Sequence, residues 1–234
     1  MKYPMSTLFV FVWAFALMGC GIKLNDGEVL SSSSTAGFSS VVSSTSSSST
    51  ASGPLVVNSG TPGAPLVYGG QTYKTVVIGT QTWMAENLNY ATTTGSWCYD
   101  EVAANCAQYG RLYNYSTAST ICPKGWHLPD TTAWNILEAK VGGKAIAGTK
   151  LKANSTLWST NTGTDNFGFS ALPAGERFTT VDNGGFTGVG GYAEFWMASF
   201  EGQYQVMGHY FASVELSWYN LPSGFSVRCL QDSN

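Results

Sequence analysis

A chain of 234 residues that is 44% hydrophobic and 14% aromatic has ample material for one domain with a real core. Only 11% of the residues are charged, against roughly 25% in ordinary soluble domains, and 27 glycines with 12 tyrosines and 8 tryptophans suit an extracytoplasmic, loop-rich β fold better than a cytosolic helical one. The formal charge of −3 supplies no basic footprint, so nucleic acid is not an expected partner.

At the amino terminus Lys2 precedes an apolar run from Leu8 to Leu17, and Leu17-Met-Gly-Cys20 follows. This pattern predicts a lipoprotein signal peptide over residues 1–19, with Cys20 as the lipidation site carrying diacylglyceryl and palmitate-type chains. The alternative is an uncleaved membrane helix, but about ten to thirteen apolar residues fall short of the roughly 20 that span a bilayer. The expected membrane partner is therefore reached through lipid on Cys20, and at about 0.8 kcal/mol per buried CH₂ the anchor is effectively permanent. Gly21 after the cysteine, in place of the Asp that commonly retains such proteins at the inner membrane, favours outer-membrane or cell-surface display by analogy. Residues 20–65 are serine-rich, with runs at Ser31–Ser34 and Ser43–Thr50, and read as a disordered linker. About 40 residues of such chain have an average reach of roughly 35 Å.

The globular domain is expected over residues 66–234. Tyr73 to Ile78 is β-branched and bounded by glycines, and a tight turn leads to Gln81-Thr-Trp-Met84, which predicts a hairpin. Trp97-Cys-Tyr99 and Arg111-Leu-Tyr113 read as short strands flanking a loop with Cys98 and Cys106. Asn114 is placed to cap a short helix across Tyr115 to Ile121, ended by Pro123. Asp130 is the N-cap of a helix carrying Trp134, Leu137 and Val141 at helical spacing, stopped by Gly142-Gly143, and Lys144 to Lys152 reads as a further helical turn or two. Beyond Leu157 the pattern is strands and loops, at Gly168–Leu172, Glu194–Ser199, Gln203–Val214 and Gly224–Leu230. Two short helices and a β-rich, loop-rich C-terminal half define an α+β domain.

Lipidation of Cys20 leaves four cysteines, an even number that suits an oxidising compartment and permits three pairings. Cys98 and Cys106 are close enough to staple one loop, which leaves Cys122 for Cys229. A zinc site would want tighter ligand pairs and more than two histidines.

Several strings, in order, carry a resemblance: Gly79-Thr-Gln-Thr-Trp-Met-Ala-Glu-Asn-Leu-Asn89, Trp97-Cys-Tyr99, Tyr109-Gly-Arg-Leu-Tyr113, Cys122-Pro-Lys-Gly-Trp-His-Leu-Pro129, Thr164 to Pro173 and Gly224 to Cys229. On these the chain resembles the FISUMP family, the Fibrobacter succinogenes major paralogous domain, over about residues 70 to 231. The resemblance implies a C-type lectin-like fold, in which a disulfide ties a helix region to the last strand and the termini lie close together. Departures are Ala133, where the family usually has an acidic residue, and Met197, where serine is commoner.

The Glu-Pro-Asn or Gln-Pro-Asp and Trp-Asn-Asp strings of calcium-dependent lectins are missing from the sequence, and Asp165, Asn166, Asp182 and Asn183 read as turn residues, so no metal is expected. The formylglycine-generating enzymes share the fold but need free thiols, and here all four mature cysteines are committed to bridges. His127 and His209 read as structural, Gly184–Gly191 as a flexible surface loop, and only a carboxylate pair such as Glu194 with Glu215 is left open as a catalytic set. No catalytic residue and no cofactor is assigned. Trp196, Tyr204, Tyr210, Phe211, Trp218 and Tyr219 crowd the C-terminal half, the side on which the fold family builds ligand loops. Most such rings fill a core. The candidate ligand-binding set is Trp218, Tyr219, Asn220, Trp196 and Tyr210, with Trp218 and Tyr219 the best placed for exposure. The expected function is a non-catalytic, surface-anchored binding or adhesion module for polysaccharide or another envelope component. The alternatives are a structural protein–protein contact module and a glycan-acting enzyme.

Overall fold

The computed structural model describes residues 59–160, 162–179, 184–200, 202–219 and 223–233. Cys20, the serine-rich stretch, Asp182, Asn183 and Asn220 lie outside them. The domain opens with β1 (Thr61–Pro62), β2 (Leu66–Tyr68), β3 (Gln71–Tyr73), β4 (Thr75–Ile78) and β5 (Gln81–Met84). β6 (Ser96–Trp97), α1 (Ala103–Tyr109), β7 (Leu112–Tyr113), α2 (Tyr115–Ala118) and β8 (Trp126–His127) follow. Next come α3 (Thr131–Lys140) and α4 (Lys144–Leu151). The second half comprises β9 (Ala174–Phe178), β10 (Gly185–Val189), β11 (Tyr192–Trp196), β12 (Gln203–Gly208), β13 (Glu215–Trp218) and β14 (Leu230–Gln231). The class is α+β. Its larger sheets are the five strands β1-β4-β5-β14-β8 and the three strands β11-β12-β13, and β9 pairs with β10 in a separate ribbon.

Local chemistry explains the elements that the sequence announces. Gly79 at φ +65 makes the tight turn between β4 and β5. The Asp130 carboxylate accepts from Ala133 N at 2.8 Å and caps α3, and Gly142 and Gly143, at φ +108 and +99, end the helical stretch. Asn114 Oδ1 accepts from Thr117 N at 3.0 Å and caps α2, which stops at Ala118 rather than continuing to Ile121.

The structure corrects three stretches. The tract around Cys98 and Cys106 is not all loop: the seven-residue helix α1 begins at Ala103 and carries Cys106. Gly168–Leu172 is not a strand: Gly168 and Ser170 take φ of +67 and +53, and only Ala171 makes an isolated bridge, to Lys152. The glycine-rich stretch from 184 to 191 is no loose loop, because residues 185–189 form β10 in register with β9.

Two apolar clusters meet along the C-terminal tract. In the first, Trp83 of β5, Trp134 of α3, Phe169 and Phe195 of β11 interlock, with five ring pairs lying 5.1–6.0 Å apart at tilted or edge-on angles. The second gathers Tyr113, Trp196, Tyr204, Phe225 and Val227. Residues 224–230 run between them, with Phe225 O accepting from Tyr113 N, Ser226 O from Trp196 N, Val227 O from Leu88 N and Cys229 O from Met84 N. Leu230 then pairs with both Trp83 and His127, so the last strand sits inside the sheet rather than on its edge. Disulfides join Cys98 to Cys106 and Cys122 to Cys229.

Arg228 is fully buried in this tract. Its guanidinium lies 4.7 Å from the Phe169 ring centre and 5.5 Å from that of Phe195. It donates to Asn87 Oδ1 at 2.7 Å, Met84 O at 3.1 Å, Ser170 O at 2.8 Å and Phe169 O. One cation thus ties the first hairpin to the irregular 169–170 segment, whose carbonyls have no strand partner to satisfy them.

Candidate functional site

Alternation along β11, β12 and β13 assigns the aromatic residues of the C-terminal half to different places. The register pairs Gln203 with Trp218 and Gln205 with both Leu216 and Phe195, so these side chains share one face of the sheet. Over β11 that face is sealed by α3 through Trp134 and Phe195. At β13 Trp218 is 61% exposed, and Phe200, from the turn between β11 and β12, is 67% exposed. Their rings lie 6.3 Å apart and within 26° of parallel. Beside Trp218, Gln203 and Gln205 are buried, and the Oε1 of each has no hydrogen-bond partner among the described residues.

Trp196 is not a ligand residue: it is fully buried, donates its indole N–H to Tyr113 O, and packs on Tyr115 and Phe225. Its side chain falls on the opposite face from Trp218 because it pairs with Tyr204, one residue out of phase with Gln203. Tyr219 is half-buried, edge-on to Phe225. Tyr210 is exposed, but it lies beyond the far end of β12 from Trp218, its hydroxyl 2.9 Å from that of Tyr192. With some five residues of strand between them, at about 3.3 Å each, Tyr210 and Trp218 do not form one patch.

The opposite face of the same sheet meets the β9–β10 ribbon. There Glu176 of β9, Thr187 and Gly188 of β10, Tyr192 and Glu194 of β11, Tyr204 and Val206 of β12, and Phe211 enclose a cleft of about 280 Å³. Burial, with Glu176 as the second cause, pushes the Glu194 carboxyl up to about 8, and burial also raises that of Glu176. The turn that carries Phe211 is held by Lys152, whose Nζ donates to Thr162 Oγ1, Gly208 O and Phe211 O at 2.7–2.8 Å.

Glu194 and Glu215 both face Val206 across β12, two strand spacings or about 10 Å apart. Glu215 is bound to Lys144 at 3.0 Å, whereas Glu194, raised first by burial, feels the charge of Glu176. His127 is an exposed partner of Asp232 at 2.6 Å, and His209 lies 3.3 Å from Thr160 Oγ1. Asp165 accepts from the backbone N–H and hydroxyl of Ser170, which is the turn role expected of it. Among the described residues no group of three or more His, Cys, Asp and Glu is arranged to hold a metal ion. A larger groove of about 530 Å³, between Pro62–Pro65 and residues 167–172, has its two charged residues, Lys74 and Glu86, paired with each other at 3.8 Å.

Sequence reasoning missed Phe200, Gln203, Gln205 and Glu176. The Gln203-Tyr-Gln-Val-Met alternation does announce a strand with amides on one face, and Phe200 between Ser199 and Glu201 is an aromatic in a polar turn. Glu176 has no local signal, because it meets Glu194 only through the packing of β9 against β11.

The sequence pattern of a family described as Fibrobacter succinogenes major domain matches residues 76–231. No curated protein and no solved structure matches the chain.

Proposed function

We propose that this chain, which belongs to the Fibrobacter succinogenes major domain family, is a non-catalytic, lipid-anchored surface module that binds polysaccharide along the β13 edge. The observation that carries this reading is the near-parallel, solvent-exposed pair of Phe200 and Trp218. An aromatic ring presents an apolar face to the C–H face of a pyranose. Such a site asks for no ionised group and no moving part, which accords with a sheet already fixed by its neighbours. The amino-terminal Leu-Met-Gly-Cys20 pattern supports anchoring, and the serine-rich stretch supports a tether that lets the domain sample a neighbouring glycan surface. Kinship with C-type lectin-like domains belongs to the same proposal, supported by the bridge from Cys122 to Cys229 beside the final strand.

Affinity electrophoresis through a panel of plant cell-wall glycans tests the reading. The native chain is expected to be retarded by at least one glycan, and Trp218→Ala to weaken that retardation tenfold or more, as loss of a central aromatic contact does. Unshifted migration across the whole panel contradicts polysaccharide binding. Capture of an envelope protein that Trp218→Ala abolishes, with no glycan effect, assigns the edge to protein contact instead.

A further inference from the structure

The cleft between the β9–β10 ribbon and the three-stranded sheet poses a separate electrostatic problem. Glu194 is only 7% exposed, lines the cleft, and makes no side-chain hydrogen bond among the described residues. Glu176 Oε2 is buried and likewise unpartnered. The neighbouring cations are committed elsewhere. Arg177 points to the other face of β9 and stacks 4.2 Å over Trp97, and Lys152 is occupied by its three acceptors. The hydroxyls of Tyr192 and Tyr204 are engaged with Tyr210 and Ser217. The buried Glu194 and the half-buried Glu176, whose Oε2 is sealed without a donor, form with Tyr192, Tyr204 and Phe211 a site that lacks a positive partner.

We propose that this cleft binds a small organic cation, a primary ammonium or guanidinium group, between the carboxylates of Glu176 and Glu194. The N–H donors of such a group satisfy both carboxylates, and its charge and alkyl portion lie against the aromatic walls. A volume of about 280 Å³ admits a group of several heavy atoms but not a polysaccharide strand. Calcium wants six to eight oxygens and magnesium an octahedral set, which two carboxyls among aromatic rings do not supply. Hydrolysis by a carboxylate pair requires both groups to be held in place by supporting hydrogen bonds. Glu194 has none among the described residues, and a bound cation would provide them.

The site carries its own pH signature. Groups facing Glu194 are Glu176 from β9, Tyr192 on its own strand and Tyr204 from β12. The cleft-lining residues of β10 and the 208–211 turn, which are Thr187, Gly188 and Phe211, are uncharged. Both tyrosines are raised above their ordinary range and stay neutral. Glu194, held up at about 8, is protonated at neutral pH, so binding breaks its O–H bond and delivers one proton to the buffer. Affinity therefore rises about ninefold from pH 6 to 7, about fivefold from pH 7 to 8, and then levels off.

The test is an NMR titration of the full chain, labelled with ¹³C at the glutamate carboxyl carbons, with butylammonium and butylguanidinium chloride at pH 6, 7 and 8. The expected result is saturable binding of at least one of them, a gain of about ninefold from pH 6 to 7 and about fivefold from pH 7 to 8, and a shift of the Glu194 carboxyl signal to its ionised position on binding at pH 6. Glu194→Gln should weaken binding at least tenfold and abolish the pH slope. Folding of that variant is checked without ligand. Because the raised folded-state value stabilises the protein below about pH 4.3 and that stability is lost as pH rises toward 8, the native urea midpoint should fall between pH 5 and 8, and that of Glu194→Gln should fall less, the raised Glu176 and Glu138 remaining. If the variant does not fold, the native carboxyl signal decides alone. The proposal is overturned by no saturable binding at pH 8, by equal binding of neutral butanol, by preferential uptake of calcium, or by a Glu194 signal that ignores the cation. It also fails if the chain releases reducing ends from glycans and Glu194→Gln stops it, which would assign the pair to hydrolysis.

Discussion

Replacing Cys122 and Cys229 together by alanine should lower the unfolding free energy by about 4–5 kcal/mol, whereas removing the Cys98–Cys106 bridge should cost only about 2–3 kcal/mol. The difference follows from the chain each bridge closes, 107 residues against 8. A cross-link acts chiefly on the unfolded ensemble, and the longer closure removes more of its freedom. The native side adds to this ranking. Cys229 is fully buried between Arg228 and Leu230, in the tract that bonds to Met84, Leu88, Tyr113 and Trp196, so the bridge fixes the segment on which both clusters depend. Urea unfolding under non-reducing conditions, with fluorescence of the buried tryptophans as the probe, measures both variants. Equal costs for the two bridges would mean that the 122–229 closure does not organise the fold.

Arg228→Met is expected to be nearly as damaging, at about 3–5 kcal/mol. Methionine keeps most of the apolar stem but leaves Asn87 Oδ1 and the carbonyls of Met84, Phe169 and Ser170 buried without the donor they face. Arg228→Lys is the sharper control. It retains the charge, yet a single ammonium cannot reach four acceptors spread around a planar fork, so a loss of about 2 kcal/mol or more should remain. Full rescue by lysine, read as an unchanged urea midpoint, would show that charge alone matters and that the fork geometry does not.

What the sequence made legible was local chemistry. The cap at Asp130, the glycine pair at 142–143, the β4–β5 hairpin and the two cysteine pairs each depend on a few neighbouring residues or on counting. Helix α1 was hidden because Ala103 to Tyr109 carries no side-chain cap and begins after Val102. The 168–172 stretch looked like a strand from its apolar spacing, but Arg228 rather than a neighbouring strand serves the carbonyls of Phe169 and Ser170. For the site, Trp196 and Trp218 are alike in sequence and opposite in fate, since burial depends on which face of β11 or β13 each occupies and on α3 covering only part of the sheet. The pairing of Glu176 with Glu194 arises from strands distant in sequence, and nothing near either residue announces it.

Stacking of sugar on the β13 edge of a rigid frame is read out by mapping NMR shifts while titrating the labelled chain with soluble oligosaccharides of whichever glycan retards it. The predicted result is perturbation of the Trp218 indole and the Phe200 ring, with Tyr192, Glu194 and Phe211 unmoved. Perturbations gathered at the acid cleft, or a Trp218 signal unchanged at saturation, would contradict it.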